Sequence, residues 1–502
     1  MDIELKLKDL FFGETAAEDE LQREHFETIF FDDESRFEKL QEPKNFIVIG
    51  EKGTGKTMLG SFYSKKMNQI KNQHCEIINS GELLMDKLKE FSDNDVTHEY
   101  RQSFIQWLLL SQTAKLIVEN HPILSKIPFT HVRKLNKILH SNEYKNKSLK
   151  NTKIQSATHE STNSIQSKSL SDHSTTITTK KGYNLKPKDY FDKIDDLKKY
   201  VYKQMKRHSY SVIFDDLDSL SEPHKSQEFY KFIDTLLIEG KSLNQKFATI
   251  KKREDIKQSK YLFLLRRDVS NSLNAHSHNF AKIETTNSIG LYWLRNYQKS
   301  YEHPILQIIF KKIRSSNQKL NSISDSKLYS LLFPETINNT DFISYFTKYT
   351  RGRPRDFILF LNTVAESFPD SNSFSAEKIM QSLPDYSKKF MSEIQNEMVI
   401  KTPEERALLE TGIKLLSDMK KRKFQIATVK SFYNNHKTNY AKIDSIEDLL
   451  HALYNSSIIG NTWTYRSDKP QYSFVYRDNS LTGLNLAKNM IPHHALFKTL
   501  NI

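Results

Sequence analysis

The sequence predicts an α/β chain: a phosphate-loop core on a parallel sheet, with a helical insert, a helical lid and a C-terminal winged-helix domain. Three observations predict it. Residues 46–57 read FIVIGEKGTGKT, an apolar run that opens into G-x-x-x-x-G-K-T. Residues 209–220 read SYSVIFDDLDSL, a second apolar run ending in carboxylates. Residues 402–476 carry three helical patterns and then two strand-like runs.

Each part of the first motif has a physical reason. Phe46–Ile49 is a short buried strand that delivers the loop. Gly50, Gly53 and Gly55 let backbone N–H groups curl around phosphate oxygens, and the next helix points its positive end at the same anion. Lys56 is expected to reach the β- and γ-phosphates, and the Thr57 hydroxyl to hold Mg²⁺. The expected nucleotide-binding set is therefore Gly50, Glu51, Lys52, Gly53, Thr54, Gly55, Lys56, Thr57 and Met58. Leu59, Phe62, Tyr63, Met67 and Ile70 recur at helical spacing behind it. The alternative, a chance Gly/Lys loop, does not supply both a strand before and an amphipathic helix after. ATP is expected rather than GTP, because no guanine-reading N-K-x-D motif occurs.

Val212–Phe214 is a β-rich run that ends in Asp215, Asp216 and Asp218. Carboxylates at the carboxyl end of a buried strand sit where α/β sheets bind ligands. Asp215 is assigned to the metal and Asp216 to the attacking water; the alternative is a solvated acidic turn. A third strand, Tyr261–Leu265, runs into Arg266, Arg267 and Asp268. An arginine there is placed to sense the γ-phosphate, or else to pair with Asp268 or the acidic cluster.

Residues 1–40 form an acidic, aromatic lead-in, expected to pack on the nucleotide core. The core spans 41–285, with a helical insert at 97–207 that carries Phe104, Ile105, Leu108 and Leu109 on one side. Within it, 144–186 is rich in Ser, Thr, Lys and Asn, cannot bury enough apolar surface to order, and reads as a disordered loop. Residues 286–395 read as a helical lid. Its segment TRGRPRDFILFLN (350–362) places Pro354 in a first helical turn and groups Arg351, Arg353 and Arg355 there. That cluster calls for an anionic partner, with nucleotide phosphate expected first and Asp356 as the alternative. Residues 396–502 form the winged-helix domain. Thr402-Pro403-Glu404-Glu405 caps its first helix, a second covers 427–435, and Ser445-Ile446-Glu447-Asp448 starts a third. Strands follow at Ile458–Tyr465 and Tyr472–Tyr476, joined by a turn at Asp468-Lys469-Pro470. Lys420, Lys421, Arg422, Lys423, Arg466, Lys469 and Arg477 surround it.

At 502 residues the chain has room for about three domains. Hydrophobic residues make up 37%, and no apolar run approaches the roughly 20 residues of a membrane span. The N-terminus lacks the pattern of a signal peptide. Cys75 is the sole cysteine, so no internal disulfide forms, in keeping with a reducing cytoplasm. The net charge of +14 suits nucleic acid. It also suits the composition of an AT-rich genome, since only 17 of 75 basic residues are arginine. The 17 histidines show no zinc spacing, and His493-His494 reads as a helix start.

Taken together, FFGE near the start, GEKGTGKT, VIFDDLD, LLRRD, RGRPRDFILFLN and the terminal PHHALFKTLNI resemble the P-loop ATPases on the STAND/KAP/Orc side of the AAA+ superfamily. The resemblance spans most of the chain except 144–186. It implies an AAA+-like core, with Arg355 as a sensor-2 arginine and Arg266 or Arg267 as a sensor-1 arginine. It further implies a setting in antiviral defence. A homo-oligomer is expected, with Arg351 or Arg353 as a candidate finger on a neighbour or, alternatively, as an intrachain sensor. Two departures stand out. The gap from Lys56 to Asp215 needs an insert, and Asp216 replaces the glutamate that fast hydrolases carry, which implies slow turnover. The expected protein is a cytoplasmic ATP- and Mg²⁺-dependent switch acting on duplex DNA or on an effector protein. The competing expectation is an origin-like DNA-binding loader for which ATP is mainly a structural ligand.

Overall fold

The computed structural model describes residues 5–24, 26–80, 97–140, 191–217, 227–250, 256–295, 297–398, 401–440, 443–464, 470–477 and 483–502. The Ser/Thr-rich stretch 144–186, Asp218, Arg466, Asp468 and Lys469 lie outside the described residues.

Five strands build the core sheet: β1 (Ile47–Gly50), β2 (Gln73–Asn79), β3 (Ser209–Asp215), β4 (Lys260–Arg266) and β5 (Ser288–Leu291). Their order is β2-β3-β4-β1-β5, and every pairing is parallel. The three central strands carry buried apolar runs, Ile47–Ile49, Val212–Phe214 and Tyr261–Leu265, as a sheet covered on both faces requires. The register sets Gly50 opposite Arg266 and Asn79 opposite Asp215. One edge of the sheet therefore collects the phosphate loop, the carboxylates and an arginine. β5 lies past residue 285, the expected limit of the core. Its SIGL run is four residues long and buries only Ile289 and Leu291, too little pattern to stand out.

The loop after β1 enters the helix Lys56–Asn68, which buries Leu59, Tyr63 and Met67. Ile70 was expected on this helix. It lies beyond the helix end and is 40% exposed, because the chain is already turning toward β2. Between β2 and β3 stand the helices His98–Asn120, His131–His140 and Phe191–Met205. Phe104, Ile105, Leu108 and Leu109 are buried as expected, but so are Trp107, Leu110 and Ile117, so that helix is covered on several sides. Polar contacts hold it to the helix Gln227–Ala248: Arg101 pairs with Glu228, while Gln102 and Gln106 donate to the two oxygens of Glu239 at 2.6 and 2.7 Å.

The lead-in divides its contacts. Phe30 stacks on Phe62 of the phosphate-loop helix and Phe37 meets that ring edge-on, as expected. Leu5, Leu7, Leu10 and Phe12 instead join the apolar core of the lid. The lid helices are Pro304–Ser316, Asp325–Leu332, Phe342–Tyr349, Pro354–Ser367 and Ala376–Met398, with a small hairpin of β6 (Thr336–Ile337) and β7 (Thr340–Asp341). Pro354 occupies the first turn of its helix, where its missing N–H costs nothing.

The C-terminal part opens with the helix Pro403–Met419, whose Thr402 hydroxyl accepts from the Glu405 amide at 3.1 Å. Ile426–Asn435 and Ile446–Asn455 follow, the latter capped by Ser445. Then come β8 (Ile459–Thr464), β9 (Pro470–Ser473) and β10 (Asn489–Pro492), antiparallel in the order β10-β8-β9. The expected hairpin is thus a three-stranded sheet, with β10 on the far edge of β8. His493 caps a 3₁₀ turn, His494–Leu496, so the helix start read there is a single short turn. The lid and C-terminal part share one apolar cluster, while the core holds another. Among the described residues no helix is long and apolar enough to cross a membrane.

Candidate functional site

A cavity of about 390 Å³ opens where the phosphate loop, β3, β4, the lead-in and the lid meet. Lys52, Gly53, Thr54, Gly55, Lys56, Thr57 and Met58 form its floor. Asp215, Asp216, Arg266 and Arg355 also reach its wall. Gly53 and Gly55 have φ of +82° and +92°, the left-handed region that frees successive amides to face one way. A Cβ on Gly53 would lie 2.9 Å from Cβ of Arg355. The lid is that close: the Arg355 amide donates to the Gly53 carbonyl at 3.3 Å. The Arg355 Nε–H donates to the Thr15 carbonyl at 2.8 Å, which adds the lead-in to the same junction.

Lys56 Nζ donates to the carbonyls of Gly50 and Glu51 at 3.0 and 3.1 Å. The ammonium is thus held over the loop whose amides frame the cavity. Gly50 contributes that carbonyl and is not itself part of the cavity wall. Asp216 takes φ +58° and its amide donates to Asp215 Oδ1 at 2.8 Å. That turn keeps both carboxylates at the carboxyl end of β3. Thr57 and Asp215 offer oxygen donors on one wall, the chemistry a hard divalent cation prefers.

Several expected residues go elsewhere. Arg267 Nη1 donates to Glu284 at 2.9 Å and is not on the cavity wall, so the LLRRD pair divides its work and Arg266 alone faces the cavity. Arg266 also pairs with Asp268 at 3.2 Å. Glu51 faces a second cleft of about 680 Å³, between the loop, the lid and the C-terminal part. Burial and the nearby Asp268 push its carboxyl above the usual range, against the pull of Arg353, Arg266 and Lys56.

Arg351 and Arg353 do not reach this cavity. Their partners are carboxylates of the lid. Arg353 grips Asp356 at 2.7 and 3.1 Å, Arg351 reaches Glu397 at 2.6 Å, and Arg353 reaches Glu397 at 3.3 Å. Both guanidinium side chains are buried. Burial works against the Glu397 carboxylate, yet the two guanidinium groups hold its pKa well below the ordinary glutamate range. The alternative partner Asp356, together with Glu397, therefore accounts for two of the three arginines, and neither of their buried guanidinium groups is exposed for a finger role in trans. Arg355 alone faces the cavity.

Sequence reasoning missed a second support. The buried Trp293 donates its indole N–H to the Thr54 carbonyl at 3.0 Å, bracing the loop from behind. The guanidinium of Arg36 lies 4.6 Å over that ring and pairs with Asp33, which in turn meets Arg295. A lone tryptophan two residues past a weak strand, and charges scattered over the lead-in, give no local signal. Only the fold assembles them.

Residues 303–395 match a FunZ-associated C-terminal helical domain, a span that begins just before the first lid helix. Two solved structures of the Aeropyrum pernix ORC2 protein are similar over long stretches. Its ADPNP-ADP complexes are 11% identical with a TM-score of 0.28, over 89% of this chain and 93% of that one. Its ADP form is 10% identical with a TM-score of 0.31, over 87% of each chain. Comparison with curated proteins finds no match. Scores this low leave the site to be argued from its own geometry.

Proposed function

We propose that this chain is a slow ATPase acting as a molecular switch, binding ATP with Mg²⁺ between the core and the lid. One observation carries the reading: Lys56 and Thr57 from the loop, Asp215 and Asp216 from β3, Arg266 from β4 and Arg355 from the lid all meet at one cavity. Loop amides and Lys56 would bind the phosphates, and Arg355 would add charge from the lid. Thr57 and Asp215 would hold Mg²⁺, which neutralises phosphate charge when bound. Asp216 would orient and deprotonate a water. Aspartate is one methylene shorter than glutamate, which supports slow turnover. Lys56→Ala should abolish nucleotide binding in a calorimetric titration. Asp216→Asn should bind ATP normally but not hydrolyse it; normal turnover by that variant would remove Asp216 from the role.

The output is proposed to be DNA binding or engagement of an effector protein, as in antiviral defence. The winged-helix pattern favours DNA, yet its third helix carries Glu447 and Asp448 in the first turn and no Lys or Arg. The exposed turn Lys420–Lys423 is the better candidate contact. If it touches phosphates, log K should fall with log salt by about 0.9 per contact on duplex DNA, and Lys421→Glu should flatten that slope. The deciding experiment is ATP hydrolysis by wild type and Lys56→Ala, with and without duplex DNA. Stimulation that vanishes in the variant supports a DNA-coupled switch. Turnover indifferent to DNA supports a switch that answers to a protein.

A further inference from the structure

A second ligand-capable cluster lies at the other end of the sheet. The phosphate loop and Asp215 occupy carboxyl ends of strands. His74 is the second residue of β2, and His208 immediately precedes β3, so both mark amino ends. His121 comes from the insert, as the C-cap of the helix His98–Asn120. One nitrogen from each ring lies within 4.8 Å of the other two.

The geometry within the cluster is that of ligands more than of hydrogen bonds. His74 Nε2 and His208 Nδ1 face each other at 3.4 Å, beyond the usual range of about 2.7–3.2 Å for a hydrogen bond from nitrogen. Two nitrogens each about 2.0–2.1 Å from one tetrahedral zinc ion stand about 3.4 Å apart. The His121 ring meets His208 edge-on, with centroids 4.6 Å apart. His121 Nε2 lies 2.7 Å from the Tyr210 hydroxyl. Metal-bound histidines characteristically engage such an outer partner through the nitrogen turned away from the ion. Tyr210 pairs in register with His74 and stacks on it, centroids 5.2 Å apart. Burial and the neighbouring imidazoles hold His74 and His208 below the ordinary histidine range, and burial alone lowers His121. Zinc binds imidazole in its neutral form.

We infer that His74, His121 and His208 form a transition-metal site, taking Zn²⁺ through three imidazoles and leaving a fourth position to water. Three nitrogen donors without a carboxylate suit zinc rather than Mg²⁺ or Ca²⁺, which want oxygen. Bound there, the ion would join the insert's first helix to the edge of the sheet. It is distinct from the Mg²⁺ ligands Thr57 and Asp215. No short-spaced motif announces it, because the three ligands come from three separate segments.

The test uses the full chain, stripped with chelator and titrated with CoCl₂ and then ZnCl₂. One equivalent of cobalt should give the visible absorption of a tetrahedral site, and zinc should displace it while excess Mg²⁺ does not. His121→Asn and His208→Asn should each abolish that uptake, Tyr210→Phe should weaken it about 10- to 100-fold, and Lys56→Ala should leave it intact. If a histidine variant folds poorly, the wild type still decides: zinc should protect His74, His121 and His208 from diethylpyrocarbonate, read by mass spectrometry. A wild type that takes up neither metal overturns the inference. So do histidine variants that bind as the wild type does, or zinc uptake that leaves the three rings unprotected.

Discussion

Asp356 accepts from the Arg353 side chain through both of its oxygens and from the Arg351 amide at 2.9 Å, all in the protein interior. Removing it leaves buried cations short of a counter-charge, which costs about 3–5 kcal/mol where it has been measured. Asp356→Ala should therefore lower the urea midpoint sharply, even though the residue does not line the cavity. Glu397 makes a pH prediction. Its folded pKa is depressed, so the folded chain holds fewer protons than the unfolded one in acid. The stability it contributes is complete above the unfolded value of about 4.3 and is lost as pH falls below it. Glu397→Gln should flatten the acid side of a melting-temperature profile and lower the melt at pH 7. At Gly53, φ of +82° and the closeness of Arg355 act together. Gly53→Ala should both strain the loop and push the lid away, weakening ATP binding in a calorimetric titration.

Elements were legible where period and punctuation agreed. The helices at 354–367, 403–419 and 446–455 carry an apolar stripe and a proline or hydroxyl cap, and all formed as read. So did the strands with unbroken apolar runs. β5 (SIGL) and β10 (NMIP) were missed because a polar residue and a glycine or proline break each short run, so its identity comes from neighbours already in place. The loop residues 52–58 that line the cavity lie in a legible motif, as does Arg355, whereas Gly50 and Glu51 of the same loop do not line it. Trp293, Glu397 and the histidine trio could not, since each works through a partner distant in sequence. Close packing between elements adds a prediction. A Cβ on Gly412 would lie 2.8 Å from Leu449 and 3.0 Å from Leu453, so the first helix of the C-terminal part rests directly on the third. Gly412→Val should overpack that contact, at about 1–3 kcal/mol, and melt this part early in a thermal scan while ATP binding persists.

At the scale of the molecule, the phosphate loop is where separate segments meet. Arg355 of the lid bonds Gly53, Trp293 bonds Thr54, and Thr15 of the lead-in bonds Arg355. Lid and C-terminal part share one apolar core, which ties the helices of the lid to strands β8 and β10. In the proposed ATP complex, Arg355→Ala would remove a charge-assisted contact of about 1.5–3 kcal/mol and should weaken ATP affinity roughly 10- to 100-fold. ATP at a hundred times its Kd should raise stability by about 2.7 kcal/mol, an increment absent in Lys56→Ala. The bond between Arg355 and Gly53 has one more consequence. That amide can trade its proton with solvent only when lid and loop have parted. Deuterium uptake at that single peptide thus acts as a counter, recording how often the molecule opens and whether added ATP or ADP changes that rate.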